Sequence, residues 1–146
     1  MKNKKLKLGS HVISSNSLPY IIAEIGVNHN CSIKLAKKMI LQAKKGGANA
    51  VKFQTYKAEK IASKKSPSYW DTKEEKSTNQ YDLFKKFDKF EIKDYKILKK
   101  YCNHVKIDFL STPFDNDVVS SLNRLVPLFK VASADITNFP LLEKIA

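Results

Sequence analysis

The sequence contains no long apolar run, and this absence excludes a membrane-spanning helix. The basic start MKNKKLKLGSH is not followed by the apolar stretch that a signal peptide needs. Only two cysteines occur, Cys31 and Cys102, and they form neither a CxxC motif nor a disulfide framework. We therefore expect the protein in a reducing cytoplasm.

Arginine is almost absent: of the 27 lysine and arginine residues, only Arg124 is an arginine. The 14 acidic residues leave a formal net charge of +13, which is typical of chains that bind nucleic acid, anionic membranes or phosphorylated substrates. Sequence-specific DNA readers use arginine for bidentate contacts with guanine, and the lysines here are spread along the chain. We therefore expect solvated helix faces, with neither nucleic acid nor membrane as a partner.

A short apolar run, then polar residues, then a helix-like segment recur along the chain, without any repeat of fixed sequence. The apolar runs occupy residues 20–25, 50–55, 107–111 and 128–132. This alternation predicts an α/β fold of four parallel βα units, and LKLGSHVISS predicts a small hairpin before them. The predicted division is a hairpin extension over residues 1–18 and the βα units over residues 19–146. Periodicity alone leaves open whether the sheet is open or is half of a closed barrel.

The helices have clear sequence signals. Ser32 is a good N-cap for a first helix, which Gly46 and Gly47 end. Further helices are predicted over residues 81–90 and 93–101. The polar stretch from residue 56 to residue 80 is long for a connection, and it predicts a functional loop or a partly helical excursion.

Each apolar run contains a polar residue near its C-terminal end. Lys52 and Gln54 alternate with apolar neighbours, as do Glu24 and Lys130, and Thr112 lies two residues after a leucine. Since α/β folds place ligands at the carboxyl ends of their strands, we expect these side chains to converge at one mouth. Buried ammonium groups beside a carboxylate suit an anionic substrate. The alternative is that Lys52 and Glu24 only neutralise each other inside the protein.

Four stretches of the sequence resemble the N-acetylneuraminate (sialic acid) synthase family, which includes pseudaminic and legionaminic acid synthases. They are IIAEIGVNHN at 21–30, GGANAVKFQT at 46–55, FLSTPFD at 109–115 and FKVASADITNFPLL at 129–142. They occur in the order and spacing of the family and cover nearly the whole chain after residue 18. The resemblance implies the first half of a TIM (β/α)₈ barrel, with the remaining strands and the antifreeze-like domain of the family absent from these 146 residues.

The resemblance also implies a reaction. Carbon C3 of phosphoenolpyruvate attacks the aldehyde of an open-chain N-acylated mannosamine-type sugar, water adds at C2, and phosphate leaves. The product is a nine-carbon 2-keto acid for surface polysaccharides. A divalent metal, Mn²⁺ or Mg²⁺, would polarise the aldehyde, and the family's metal-binding histidines lie on later strands. A homodimer is expected for the full-length enzyme.

Particular residues match positions of the family's site. Glu24 is expected to accept a proton or orient water near C2, and Gln54 to hydrogen-bond the sugar. Asp135 stands where relatives commonly have glutamate, and its side chain is shorter by about 1.5 Å, so its sugar or base role stays open. The phosphate and carboxylate of phosphoenolpyruvate would be bound by cationic and hydroxyl side chains, namely Lys52, Thr112, Lys130 and Ser133.

The 146-residue chain alone is expected to have little or no synthase activity, since the metal ligands and the sugar-covering domain are expected elsewhere. Other functions remain open. A sister synthase that condenses phosphoenolpyruvate with a phosphorylated aldose would need a further basic pocket. A basic nucleic-acid-binding domain would lose affinity steeply with added salt. A half-barrel that dimerises through its open edge, or an inert remnant, would have no catalytic role.

Overall fold

The computed structural model describes residues 5–146, so residues 1–4 of the predicted hairpin extension lie outside the described residues. The strands are β1 (Leu6–Leu8), β2 (His11–Ile13), β3 (Ile22–Gly26), β4 (Ala50–Thr55) and β5 (Asp108–Pro113). The α-helices are α1 (Ile33–Lys45), α2 (Ala58–Ile61), α3 (Gln80–Phe87), α4 (Ile92–Val105), α5 (Asn116–Leu122) and α6 (Phe139–Ile145), and a 3₁₀ turn spans Ser133–Asp135.

The main sheet has three parallel strands in the order β3-β4-β5, with β4 in the centre. This arrangement confirms the predicted parallel α/β architecture for the first three apolar runs. The register pairs Glu24 with Lys52, and Gln54 with Thr112. Polar residues of three neighbouring strands therefore lie beside one another at the carboxyl end of the sheet.

Helix α1 begins and ends at the predicted residues. The Ser32 hydroxyl accepts a hydrogen bond from the backbone N–H of Leu35 at 3.2 Å, so one of the free N–H groups of the first turn is satisfied. Gly46 is the C-cap, and Gly47 follows it with a φ of +85°, a conformation that glycine adopts without strain. The side chains of Ala36 and Ile40 on α1 are buried against the sheet.

The hydrophobic core lies between one face of the sheet and helices α1 and α4. Val51, Phe53 and Phe109 are fully buried there, and the rings of the two phenylalanines stack with centroids 5.5 Å apart. Burial of each such side chain stabilises the fold by about 1.5–3 kcal/mol. Since side chains alternate along a strand, Lys52 and Gln54 of β4 belong to the opposite face, away from the helices.

The predicted fourth strand is wrong for this structure. Residues 128–132 have an irregular backbone with a bend at Leu128, and they make no β-ladder with β5. Strand formation depends on a hydrogen-bonded neighbour as well as on an apolar sequence, and among residues 5–146 the outer edge of β5 is unpaired. The fourth unit is therefore represented by the 3₁₀ turn and helix α6 without a paired strand.

The predicted hairpin is present as the antiparallel pair of β1 and β2. It is held at the N-terminal end of the sheet by the carboxylate of Asp108, the first residue of β5. Asp108 accepts hydrogen bonds from the Tyr20 hydroxyl at 2.7 Å, the Ser10 backbone N–H at 3.3 Å and the Ser10 hydroxyl at 3.2 Å. Gly9 lies so close that a Cβ there would be 2.2 Å from this carboxylate.

The long polar stretch after β4 is partly helical, as one of the two predicted alternatives had it. It contains the short helix α2 and an isolated bridge between Pro67 and Asn79. The indole N–H of Trp70 donates to the backbone carbonyls of Glu75 and Ser77 at 3.0 and 3.1 Å, so the excursion has its own internal order. No helix in the described part of the chain combines the length and the apolar character that a membrane span requires.

Candidate functional site

An ion pair between Lys52 and Glu24 occupies the centre of the sheet's polar face. The Lys52 ammonium also donates to the Thr112 hydroxyl at 3.3 Å, so strands β3, β4 and β5 each supply one member of this cluster. The Lys52 side chain is 14% exposed and that of Glu24 is 46% exposed. Because an ammonium group has three N–H donors, one donor remains for a ligand that approaches from the open side of Glu24.

The mutual neutralisation of Lys52 and Glu24, which the sequence left open, is therefore observed. It does not exclude a ligand role, since a desolvated ammonium needs a counter-charge before an anionic ligand arrives. An anion that contacts Lys52 would share the ammonium with Glu24 or displace it. The half-exposed Glu24 carboxylate is the partner that is free to move.

A bulge at the end of β3 brings Glu24 near Gln54. The pairing register shifts between Glu24 and Gly26, and Gly26 has a φ of +56°. A Cβ at Gly26 would lie 3.4 Å from Glu24 Oε1 and 3.6 Å from Gln54 Nε2. Glycine thus leaves the space in which a carboxylate and an amide of adjacent strands approach each other.

Gln54 and Asp135 line the same cavity, with a volume of about 570 Å³. A second cavity of about 300 Å³ adjoins it and shares the side chains of Lys60, Phe114 and Asn138. We call the two together the mouth cavity. It lies beyond the carboxyl ends of β4 and β5, between the polar excursion, the start of α5 and the segment that follows α5.

Asp135 is the predicted catalytic residue that reaches the mouth cavity. One oxygen of its carboxylate accepts a hydrogen bond from the Asn138 amide at 3.3 Å, and the other is buried without a donor. Because buried acceptors are usually hydrogen-bonded, this oxygen is a candidate acceptor for a donor of a ligand in the cavity. The structure brings Asp135 into the same cavity as Gln54, apart from the ion pair of Lys52 and Glu24.

Lys130 and Ser133 are the predicted phosphoenolpyruvate ligands that the structure does not bring to the cluster. Both are exposed, and neither side chain makes a hydrogen bond or an ion pair within residues 5–146. Lys130 lies in the segment that was predicted as a fourth strand, and without ladder hydrogen bonds no register aims its side chain at Lys52. Their binding roles stay predictions.

His29 lies on the other side of the sheet, within the core. Its ring stacks on Phe90 with centroids 4.4 Å apart and contacts Phe53. The Nδ1 atom accepts a hydrogen bond from the backbone N–H of Cys31 at 3.1 Å. Burial lowers the pKa of His29, and the backbone of Gly26 opposes this only in part. This histidine is a neutral core residue and does not contribute to the mouth cavity.

The residues described do not form a metal site. Within residues 5–146, no group of three or more histidine, cysteine, aspartate or glutamate side chains is close enough to hold an ion. The divalent metal implied by the resemblance fits no set of side chains among these residues.

Sequence reasoning missed several residues of the mouth cavity. Lys60 and Tyr69 come from the polar excursion, Phe114 directly follows β5, and Asn138 directly precedes α6. The signal for Asn138 was its place three residues after Asp135, since the two side chains hydrogen-bond. The excursion offered only its length, because a stretch without periodicity does not indicate which residues turn inward.

The fold and this polar cluster define an α/β protein with a ligand site at the carboxyl ends of its parallel strands. The chain belongs to the NeuB family, which residues 39–146 match. The N,N'-diacetyllegionaminic acid synthase of Legionella pneumophila is 37% identical over 147 residues, covering 99% of this chain and 41% of the relative. The N-acetylneuraminate-9-phosphate synthase of Mus musculus is 39% identical over 128 residues, covering 87% and 36% respectively.

An uncharacterized protein of Methanocaldococcus jannaschii is 42% identical over 144 residues, which cover 98% of this chain and 39% of the relative. The chain thus spans about two fifths of the length of the curated relatives it matches.

Solved structures agree with this assignment. The N-acetylneuraminic acid synthetase of Leptospira borgpetersenii, crystallised in complex with citrate, superposes with a TM-score of 0.78 at 34% identity. The alignment covers 97% of this chain and 46% of that protein. A truncated 3-deoxy-D-arabino-heptulosonate 7-phosphate synthase of Thermotoga maritima has a TM-score of 0.63 at 11% identity, which shows a shared fold alone.

Proposed function

We propose that this protein takes part in the condensation of phosphoenolpyruvate with an N-acylated mannosamine-type sugar to give a nine-carbon 2-keto acid. The observation that carries the proposal is the cluster of Lys52, Glu24 and Thr112 on three adjacent strands of a NeuB-family sheet. The protein would form one part of a TIM barrel and would act in the cytoplasm. We expect the full-length enzyme to be a homodimer.

Lys52 and Thr112 form the proposed anchor for phosphoenolpyruvate. The ligand carries a phosphate and a carboxylate, and both need donors of charged or polar hydrogen bonds. Lys52 offers its third N–H, and the Thr112 hydroxyl, which already accepts from Lys52, is left with a proton to donate. Lys130 and Ser133 would complete this anchor from the segment after α5.

Glu24 is the proposed proton acceptor. When C3 of phosphoenolpyruvate forms its bond to the aldehyde carbon, the aldehyde oxygen takes up a proton and becomes a hydroxyl, positive charge develops at C2, and water adds there. The water must lose a proton, which a half-exposed carboxylate next to Lys52 is able to accept. The C2–O bond to phosphate then breaks, phosphate leaves, and the keto group forms.

Gln54 and Asp135 are the proposed contacts to the sugar. Both line the mouth cavity, and the Gln54 amide lies near the Glu24 carboxylate across Gly26. This arrangement supports a sugar in the mouth cavity whose aldehyde lies next to the phosphoenolpyruvate bound at Lys52 and Thr112. A metal-polarised aldehyde would need ligands other than those found within residues 5–146, and for this reason we propose that the 146-residue chain binds ligands but does not turn over.

Binding of phosphoenolpyruvate to the 146-residue chain tests the anchor. In a ³¹P NMR titration, we expect Lys52→Gln to weaken binding at least about tenfold, because the ligand loses the charged hydrogen bond that a largely buried ammonium would donate. Thr112→Val preserves the shape of a buried side chain and should weaken binding less. The control is Lys45→Gln, which removes an exposed charge on α1 and should leave the affinity unchanged.

Equal affinity of the Lys52→Gln variant and the parent chain would contradict the proposal. So would binding that Lys45→Gln weakens as much as Lys52→Gln does, because that result would indicate a response to net charge alone. An assay of phosphate release with Mn²⁺ and N-acetylmannosamine tests the second part. Ready turnover by the 146-residue chain would show that its own residues suffice.

A further inference from the structure

Four side chains that carry a charge at neutral pH line the mouth cavity, and three of them are carboxylates: Lys60, Asp115, Asp117 and Asp135. With the lysine charged and the acids ionised, the lining carries two net negative charges. This contrasts with the formal charge of +13 of the whole chain. The sign of the charge at this mouth therefore differs from that of the protein as a whole.

The single lysine of the lining already has a counter-ion. Lys60 Nζ lies 3.1 Å from Asp117 Oδ2, and the two residues belong to α2 and to the first turn of α5. Asp117 raises the pKa of Lys60, with a smaller contribution from Asp115. An anionic substituent in the cavity would therefore have to compete with Asp117 for this ammonium.

The other two carboxylates lack donors for one oxygen each. Asp115 uses one oxygen to cap α5, where it accepts from the backbone N–H groups of Asp117 and Val118, and its other oxygen is buried without a partner. Asp135 has a similar free oxygen. A phosphate dianion would add charge and acceptors to a wall that already has these two unpartnered acceptors and whose lysine is paired, whereas an uncharged sugar brings hydroxyl and amide N–H groups that donate to them.

We propose that Asp117 is a specificity-determining residue. By occupying Lys60, it makes the mouth cavity bind an uncharged acylated amino sugar in preference to the phosphate monoester of the same sugar. The inference rests on the proposed function and names the charge class of its acceptor. Membership of the family does not settle this point, since the relatives include an N,N'-diacetyllegionaminic acid synthase and an N-acetylneuraminate-9-phosphate synthase.

The test compares two probes, N-acetylmannosamine and N-acetylmannosamine 6-phosphate, by saturation-transfer NMR with the 146-residue chain at low ionic strength. We expect the parent chain to bind the phosphate ester several-fold more weakly. Asp117→Asn should strengthen binding of the phosphate ester about two- to fivefold, as expected for one exposed ion pair, and should change binding of the uncharged sugar by a smaller factor. Adding Lys60→Gln to Asp117→Asn should abolish this gain. Added salt should shrink it as well.

The matched control is Glu143→Gln, which removes one exposed carboxylate of α6 that does not line the cavity. It should change neither affinity. Equal or tighter binding of the phosphate ester by the parent chain, or no gain with Asp117→Asn, would overturn the inference and leave the phosphoenolpyruvate anchor intact. If neither sugar binds while phosphoenolpyruvate binding still depends on Lys52, the inference and the proposed sugar contacts of Gln54 and Asp135 fall, and the phosphoenolpyruvate anchor stands. If that dependence is also missing, the proposed function fails.

Discussion

The hydroxyl of Tyr95 donates a hydrogen bond of 2.8 Å to the backbone carbonyl of Gln54. It joins the buried side of α4 to the C-terminal end of strand β4, where the Gln54 side chain lines the mouth cavity. Burial raises the pKa of Tyr95 well above its ordinary value, so the phenol stays protonated and remains a donor. A helix on the core side thus fixes the position of a candidate site residue on the opposite side of the sheet.

Tyr95→Phe should lower the free energy of unfolding by about 1–2 kcal/mol, because the Gln54 carbonyl loses its buried donor while the ring packing stays. Urea denaturation measures the change. The matched control is Tyr101→Phe on the same helix, since the Tyr101 hydroxyl makes no hydrogen bond within residues 5–146. Equal effects of the two substitutions would show that the hydrogen bond from Tyr95 to Gln54 does not contribute to the free energy of unfolding.

Gly26→Ala should disturb the site in addition to destabilising the fold. At the positive φ of Gly26, a residue with a Cβ is destabilised by about 1–2 kcal/mol of folding free energy. The new methyl group would also lie 3.4 Å from Glu24 Oε1. Gly47→Ala is a matched control, because Gly47 also has a positive φ but no atom within 4 Å of the new Cβ. Both variants should unfold at lower urea, but only Gly26→Ala should shift the Gln54 side-chain amide signals in a ¹H–¹⁵N spectrum.

The paired polar residues could be predicted from the sequence because a strand has a fixed period. Alternation along β4 assigns Lys52 and Gln54 to one face, and parallel pairing then places Glu24 and Thr112 beside them. The same reasoning was wrong for residues 128–132, since a strand forms only with a hydrogen-bonded neighbour in register. The side-chain orientation that alternation predicted for Lys130 is therefore not supported by a strand in the structure.

Other parts of the site depend on contacts that no local pattern encodes. Lys60 reaches the mouth cavity through a short helix in a polar stretch, and its partner Asp117 lies 57 residues further along the chain. The bulge between Glu24 and Gly26 shifts the pairing register of β3, and a single glycine is the only sequence signal for it. Long-range ion pairs and bulges become visible only when the strands and helices are assembled.

Asp108→Asn should weaken the attachment of the hairpin. Burial alone would raise the pKa of Asp108, but hydrogen bonds from Tyr20, Ser10 and His11 outweigh it and lower the pKa below 3.8. The stabilisation is therefore present above the ordinary pKa and is lost as the pH falls through the lowered value. At neutral pH the substitution should cost about 1–3 kcal/mol.

Urea denaturation at about pH 7 and about pH 3 measures the Asp108 effect. The difference between the parent chain and Asp108→Asn should be smaller in acid than at neutral pH, because part of the stabilisation is lost once the pH falls below 3.8. Glu143→Gln serves as the control, since this exposed carboxylate has no ion pair within residues 5–146. A cost of Asp108→Asn that is the same at both pH values would contradict a role for the ionised carboxylate.

His29 should make the fold less stable in mild acid. Because burial between Phe90 and Phe53 lowers its pKa, the unfolded chain binds a proton near pH 6.5 while the folded chain stays neutral. The free energy of unfolding should be constant above that pH and fall below it, by at most about 1.4 kcal/mol per pH unit. His29→Phe keeps an aromatic ring in the stack and should flatten the fall between about pH 7.5 and 5.5, as measured by urea denaturation. His104→Gln, at an exposed position, should not. An equal slope in the parent chain and His29→Phe would mean that another group causes the acid sensitivity.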